Sequence, residues 1–317
     1  MRFLVVGAGS WGTAFTRVLL DRGHEVVLAC HTAEQAEAIA RNGWNPRYLQ
    51  NVDLREADPV PLSAAPADFD VIVVAVPSGA FAEVVAGLPG DTPVLSLTKG
   101  LDPKTGERLS TRVVGRAVAV LSGPNMAEEI GQGLPTAAVI ASDDGDLASD
   151  LQHAVNSAVF RAYVNPDVVG VELCAAAKNV IALAAGAVDG LDLGDNAKAA
   201  LIARGLAEMS RLGEAAGARS ETFAGLAGMG DLVVTCWSRH GRNRHAGELI
   251  AEGLTPQQAV AEIGQTVEGL TTAPALRDLS HRLGVELPIT EGVCAVLSGQ
   301  SLGELLAGLM GREPTEE

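Results

Sequence analysis

A chain of 317 residues, 47% hydrophobic and 20% charged, has length for about two domains and apolar content for a large core. A net charge of −16 excludes a surface built for nucleic acid or for an anionic membrane, so an anionic substrate needs a locally basic pocket. No run reads as long and apolar enough to span a bilayer, and Met1-Arg2-Phe3 leads straight into a strand pattern rather than a signal peptide, which gives a cytoplasmic expectation.

The first element is a short apolar strand, Phe3 to Val6, running into Gly7-Ala8-Gly9-Ser10-Trp11-Gly12 and then a helix to Asp21. In this strand–turn–helix context, Gly7 permits the tight turn, Gly9 lets the backbone approach a diphosphate, and Gly12 lets the helix pack against the strand. The helix start offers unpaired N–H groups and partial positive charge to a phosphate. Glu25 to Cys30 is the second strand, followed by Cys30-His31-Thr32 where NAD-specific folds place a carboxylate for the adenosine ribose. Nothing in these three residues repels a 2′-phosphate. His31 either contacts it or is a solvated loop histidine, and the cofactor expectation is NADP or NAD, with NADPH slightly preferred.

Ala33 to Arg41 reads as a helix, and Gly43 to Pro61 as a polar loop with Asn45-Pro46 and Asp58-Pro59 as turn signals. Asp70 to Pro77 is a buried parallel-type strand, with Ser78 placed to cap the next helix. Pro93 to Thr98 is another strand and delivers Lys99 to the carboxyl edge of the sheet, where ligands bind in such folds. Ala117 to Leu121 leads into Ser122-Gly123-Pro124-Asn125, a turn at the same edge that offers backbone and amide groups to a polar ligand. Thr136 to Ala141 and Val159 to Val164 are the last strands, and Asp143-Asp144-Gly145-Asp146 between them reads as a helix cap.

Beyond Pro166 the pattern turns helical. Val168 to Val188 is apolar on nearly all sides and carries a single lysine, Lys178. Lys178 is either buried, with its pKa lowered into the range of a proton donor and acceptor, or snorkels at the helix rim. Asn196 to Ala216 is a second long helix, and three glycines before Asp231 make a bend that presents its carboxylate to a lysine. Arg239, His240, Arg242, Asn243, Arg244 and His245 form the densest basic cluster and suit a phosphate. Leu254 to Gly311 reads as short helices broken at Pro256, Pro274 and Pro288. Only four of the 23 basic residues are lysine, so Lys99 and Lys178 ask for a role that arginine cannot fill, whereas Lys104 and Lys198 are put down to chance. The four cysteines are scattered and read as reduced thiols, and the six histidines form no metal-binding spacing.

The sum is an α/β Rossmann-type N-terminal domain over residues 1–166, with a mostly parallel, doubly wound sheet, and an all-α domain over 167–317 for substrate binding and catalysis. In this order, Gly7-Ala-Gly-Ser-Trp-Gly-Thr13, Leu97-Thr-Lys-Gly100, Ser122-Gly-Pro124, Ala177-Lys-Asn-Val180, Gly228-Met-Gly-Asp-Leu232, Arg242-Asn-Arg244 and Val267-Glu-Gly269 resemble bacterial NAD(P)-dependent glycerol-3-phosphate dehydrogenases. The resemblance runs over nearly the whole chain. It implies hydride transfer between NAD(P)H and dihydroxyacetone phosphate, giving sn-glycerol 3-phosphate for phospholipid synthesis, in a homodimer; the charge, the lack of a long apolar run and the histidine spacing add the expectations of no nucleic-acid partner, no membrane insertion and no metal.

By the same resemblance, Ser10, Trp11, His31, Lys99, Ala127, Arg242 and Glu268 contact the cofactor. Lys178 is the acid/base, Lys99 touches cofactor and substrate, and Asp231 holds the lysines, with Thr235 behind it. Gly123, Asn125, Gly241, Arg242 and Asn243 line the substrate site. Two positions depart from the family pattern: Asn125 stands for a serine or threonine, and Gly241 for a serine, which leaves only backbone there. The rival expectations are a dehydrogenase of hydroxy-acid or opine-type substrates on the same plan, and a non-catalytic nucleotide sensor, which has no need of the Lys178–Asp231 pair.

Overall fold

The computed structural model describes residues 1–303. The N-terminal half contains β1 (Arg2–Val6), α1 (Ser10–Asp21), β2 (Glu25–Cys30), α2 (Ala33–Asn42), β3 (Asp58–Pro61), β4 (Val71–Val74), α3 (Ser78–Ala86), β5 (Val94–Ser96), β6 (Val118–Ser122), α4 (Ala127–Gly131), β7 (Thr136–Ser142), α5 (Gly145–Val155) and β8 (Phe160–Asn165). They build one eight-stranded sheet in the order β3-β2-β1-β4-β5-β6-β7-β8. Every pairing is parallel except β6 with β7. The chain winds outwards from β1 to β3, then crosses to β4 on the other side of β1, so the crevice at the carboxyl ends of β1 and β4 is the topological switch point.

Alternation along each strand divides the core. Phe3 and Val5 face a cluster with Phe15 and Leu19 of α1 and Leu151 of α5, while Leu4 and Val6 face Phe81 and Val85 of α3 on the opposite side. Both faces are covered, which is why the strands read as unbroken apolar runs.

Strand β3 lies inside the stretch expected to be loop. Asp58↔Val27 to Pro61↔Cys30 is its parallel register on β2, at the sheet edge. Two prolines in four residues signal a turn by composition, yet a proline is tolerated on an edge strand whose outer side has no partner.

The helical half holds α6 (Val168–Gly190), α7 (Gly194–Ala215), α8 (Ser220–Ala224), a π-helical turn (Leu226–Gly230), α9 (Asp231–Trp237), α10 (Arg242–Ala251), α11 (Pro256–Ile263), α12 (Glu268–Leu283) and α13 (Pro288–Leu297). Pro256 and Pro288 open helices at their first positions, as expected of residues with no N–H to satisfy. Pro274 instead lies within α12, which runs on through it. Residues 304–311 of the expected short-helix tract, and 304–317 of the expected C-terminal domain, fall outside the described residues.

Helix α6 corrects one expectation. It is 23 residues long and contains an 18-residue stretch of mean hydropathy 1.7, enough by length and composition to cross a membrane, but 89% of that stretch is buried inside the fold. It is the axis of the helical half, and α7, α9, α10 and α12 pack around it.

Candidate active site

The opening turn is shaped as its glycines require. Gly7 has φ +110°, and a Cβ there would stand 2.5 Å from the Ala75 carbonyl oxygen at the end of β4. A Cβ on Gly12 would stand 1.9 Å from the Gly7 carbonyl oxygen, so α1 packs directly onto the turn. Gly9 is the N-cap of α1, with no side-chain cap and no acidic residue in the first turn. The first N–H groups of the helix therefore lack a side-chain acceptor, and the space above Gly9 is open, with nothing within 4 Å of a Cβ built there. The indole Nε1 of Trp11 is buried without a partner. Uncapped donors, open space and a helix N-terminus fit the diphosphate of a dinucleotide.

At the adenosine end, His31 is exposed just past β2. Thr32 caps α2 by accepting the Gln35 N–H at 3.2 Å. Glu34 stands in the first turn of α2, a carboxylate that residues 30–32 alone did not disclose. Its own backbone N–H and the Thr32 hydroxyl hold its pKa below the ordinary value.

At the other end of the crevice, two ammonium groups meet one carboxylate. Lys178 lies midway along α6 and is 5% exposed. Its Nζ donates to Asp231 Oδ1 at 2.6 Å and to Thr235 Oγ1 at 2.9 Å. Lys99 Nζ, arriving from the loop after β5, donates to Asp231 Oδ2 at 2.8 Å and to the Gly123 carbonyl at 3.0 Å. The Ser122 hydroxyl donates to the same Oδ2 at 3.3 Å.

The bend that presents Asp231 is the π-helical turn. A Cβ on Gly228 would stand 2.1 Å from the Phe223 carbonyl oxygen, so only glycine lets the chain fold back this closely. Burial lowers the Lys178 pKa to about 7; Asp231 opposes the fall and the like charge of Lys99 adds to it. Burial acts to raise the Asp231 carboxyl, but Lys178 and Lys99 outweigh it and hold the pKa below the ordinary value. The cluster thus keeps an ionised carboxylate beside an amine that titrates near neutral pH. Among the described residues, no three histidine, cysteine or acidic side chains are grouped to hold a metal ion.

A chain of buried amides leads away from this centre. Asn179 Nδ2 donates to the Lys99 carbonyl at 3.4 Å. Asn179 Oδ1 accepts from Asn243 Nδ2 at 2.9 Å, and Asn243 Oδ1 accepts from the Gly269 N–H at 2.8 Å. The adjacent Glu268 carboxylate accepts from the Ser78 N–H at 3.1 Å and the Ser78 hydroxyl at 2.5 Å, joining α12 to α3. Ser78 was expected to cap α3; Pro77 is the N-cap, and the Ser78 hydroxyl serves Glu268 instead.

Gly241 is the N-cap of α10 and is buried, and Arg242 beside it is exposed with Nη1 donating to the Thr266 carbonyl at 3.1 Å. A Cβ on Gly241 would stand 2.8 Å from the Thr235 carbonyl oxygen, which leaves no room for the family's serine in this turn without a shift. Asn125 directs Nδ2 to the Ala137 carbonyl at 3.1 Å, while its Oδ1 is buried without a partner. Ala127 is buried at the first position of α4. The basic cluster divides: Arg239, His240 and Arg242 face solvent, whereas Arg244 turns inward to acidic partners.

The fold therefore joins Lys99, Lys178, Asp231, Gly123 and Thr235 in one cluster and reaches Asn243 and Glu268 through the amide chain. His31 and Trp11 stand apart, at the dinucleotide end. Ser122 and Asn179 were not singled out from the sequence. Asn179 had a signal, as a polar residue next to Lys178 in the middle of a largely apolar helix. Ser122 had none beyond lying in a strand-to-helix turn.

Residues 3–148 match the model of the NAD-dependent glycerol-3-phosphate dehydrogenase N-terminus, and residues 167–305 that of its C-terminus. The chain belongs to the NAD-dependent glycerol-3-phosphate dehydrogenase family. A relative from Chlorobium phaeobacteroides named glycerol-3-phosphate dehydrogenase [NAD(P)+] is 43% identical over 100% of this chain and 99% of its own. One of the same name from Halorhodospira halophila is 45% identical over 99% and 97%. Among solved structures, the glycerol-3-phosphate dehydrogenase of Coxiella burnetii superposes with TM-score 0.94 at 37% identity, over 98% of this chain and 99% of that one. A D-mandelate dehydrogenase at 14% identity and TM-score 0.66 shares the fold alone. The family assignment makes the protein an NAD(P)-dependent oxidoreductase.

Proposed function

We propose that this protein interconverts dihydroxyacetone phosphate and sn-glycerol 3-phosphate, with Lys178 as the acid/base. The observation that carries the reading is the Asp231 carboxylate gripping two ammonium groups, Lys178 at 2.6 Å and Lys99 at 2.8 Å, in a buried cluster at the carboxyl edge of the sheet. When bound at the opening turn, the nicotinamide cofactor supplies the hydride for reduction and accepts it in the reverse direction. Lys178 gives its proton to the carbonyl oxygen as that oxygen becomes an alcohol, and takes it back in the oxidation. Lys99 places positive charge beside the same oxygen, where low polarity makes charge stabilisation strong. Asp231 holds both amines, and Thr235 and Ser122 hold Asp231 and Lys178. Arg242, Asn243 and the backbone at Gly241 hold the phosphate, and Gly123 and Asn125 line the carbonyl end. Gly7, Gly9, Ser10, Trp11, Gly12, His31, Ala127 and Glu268 form the cofactor's bed.

A slight preference for NADPH belongs to this proposal, supported by the lack of a carboxylate at residues 30–32 and opposed by Glu34. So do a cytoplasmic setting, consistent with four buried free cysteines, a homodimer, and supply of glycerol 3-phosphate to phospholipid synthesis. The test follows absorbance at the reduced-nicotinamide band with dihydroxyacetone phosphate and each reduced cofactor in turn. Oxidation is expected with dihydroxyacetone phosphate and not with unphosphorylated keto acids. Cofactor binding with no substrate-dependent oxidation, or faster turnover of keto acids, refutes the reading.

A further inference from the structure

Lys198 and Arg244 have no part in the chemistry above, yet both are engaged inside the fold. Asp189, in the last turn of α6, accepts from Lys198 Nζ at 2.9 and 2.7 Å and from Arg244 Nη1 at 2.7 Å. The side chains of Lys198 and Arg244 are 7% and 13% exposed. Lys198 Nζ also lies 4.9 Å from the ring centroid of Trp237, the last residue of α9. Arg244 Nε donates to the Ser238 carbonyl at 3.2 Å, and Arg244 Nη2 pairs with Glu248 at 3.1 Å. The Ser238 carbonyl accepts the Gly241 N–H at 3.0 Å as well. Arg244 therefore closes the 238–241 turn from within and ties it to the end of α6. Helices α6 and α10 touch backbone to backbone beside this point, since a Cβ on Gly186 would stand 1.8 Å from the Arg244 carbonyl oxygen.

We infer that Asp189, Arg244 and Lys198 form a positioning cluster that fixes the phosphate-holding turn at a set distance from Lys178. This inference rests on the reading that Gly241, Arg242 and Asn243 hold the substrate phosphate. Lys178 and Asp189 lie eleven residues apart on one rigid helix, about 16 Å along its axis. The proton donor is fixed at one place on that helix, and the turn is gripped near its end. A substrate that spans both groups is aligned only if the turn stays seated, and a misplacement on the order of 1 Å costs about 100-fold in rate. The pairing also uses arginine where a fork is needed: one guanidinium reaches a carbonyl and two carboxylates at once, which an ammonium cannot reproduce.

The test compares Asp189→Asn, Arg244→Lys and Lys198→Met with the parent enzyme and with Arg242→Ala. Each is assayed on dihydroxyacetone phosphate and on unphosphorylated dihydroxyacetone, with inorganic phosphate as a competitive inhibitor and thermal midpoints recorded. Asp189→Asn and Arg244→Lys should each lower kcat/KM for the phosphorylated substrate by about tenfold or more. They should weaken inhibition by phosphate in parallel, and change turnover of dihydroxyacetone and KM for NADPH by less than about twofold. Lys198→Met should have a smaller effect of the same pattern. If Arg242→Ala raises KM while these three leave phosphate handling unchanged, or lower turnover of both substrates alike, the inference is wrong and the phosphate reading stands. If Arg242→Ala itself leaves KM and phosphate inhibition unaltered, the turn holds no phosphate and both fall together.

Discussion

At the scale of single residues, the site turns on a lysine whose pKa is lowered to about 7 mainly by burial. Reduction needs the protonated amine, so kcat for dihydroxyacetone phosphate should fall as pH rises through about 7. Oxidation needs the free amine, so kcat for glycerol 3-phosphate should rise over the same range. A single group serving both directions makes the two profiles cross, and profiles measured on one preparation check it. Parallel profiles would exclude Lys178 as the shared group. Lys99 contributes a like charge that lowers the Lys178 pKa. In Lys99→Met the midpoint of both profiles should move to higher pH while absolute rates drop. Lys178→Ala removes the proton donor itself and should lower kcat by about 100- to 10,000-fold, with NADPH affinity by fluorescence titration nearly intact. Arg242 is exposed and its change should appear mainly as a raised KM for the phosphorylated substrate.

At the scale of elements, the helical half depends on the contact of α6 with α10. A Cβ on Gly247 would stand 1.9 Å from the Leu183 carbonyl oxygen, which is backbone and cannot rotate aside. Gly247→Ala should therefore push the helices apart and destabilise the protein by about 2 kcal/mol or more. Gly145, at the start of α5, has nothing within 4 Å of a built Cβ, so Gly145→Ala should be neutral or stabilise by up to about 1 kcal/mol. Urea midpoints on the two variants decide whether close packing, rather than glycine content, sets this stability. The same contrast shows what the sequence disclosed. Apolar periodicity located β1, β2 and α6 to within two residues, because local patterning decides such elements. Edge strand β3 was hidden by its prolines, and the passage of α12 through Pro274 by the assumption that proline ends a helix. Within the site, a lone lysine on a largely apolar helix and a glycine-rich bend are local anomalies that singled out Lys178 and Asp231, while burial or snorkelling of the lysine stayed open and their roles came from the family resemblance. Ser122 and the pairing of Arg244 with Asp189 were not legible, since Asp231 and Asp189 lie 109 and 55 residues away from them in the chain.

At the scale of the whole molecule, the two halves share a core. Val120, Val139 and Ala141 of the sheet pack in one cluster with Val171, Cys174, Ile181 and other apolar residues of α6, so the line between 166 and 167 divides chain topology rather than packing. A buried acidic group reinforces the join. Glu172 of α6 accepts from the Ser110 N–H at 2.8 Å, the Ser110 hydroxyl at 2.5 Å and Arg108 Nη1 at 2.9 Å, all from the N-terminal half. Burial acts to raise the Glu172 pKa and does so despite these donors. Glu172→Leu removes the acceptor, leaves the buried Ser110 N–H without a partner and takes from Arg108 its carboxylate, so that Nη1 keeps only the Ser110 hydroxyl at 3.1 Å, a loss of about 3 kcal/mol. With a shared core, that loss should lower a single transition of the whole chain and not release one half alone. Trp11 and Trp44 report on the N-terminal half and Trp237 on the helical half, while far-UV circular dichroism weights the helices. In both parent and Glu172→Leu, fluorescence and dichroism should give the same urea midpoint, shifted together in the variant. Midpoints that separate would mean the halves unfold independently, and that residues 1–166 are a domain in the strict sense of folding alone.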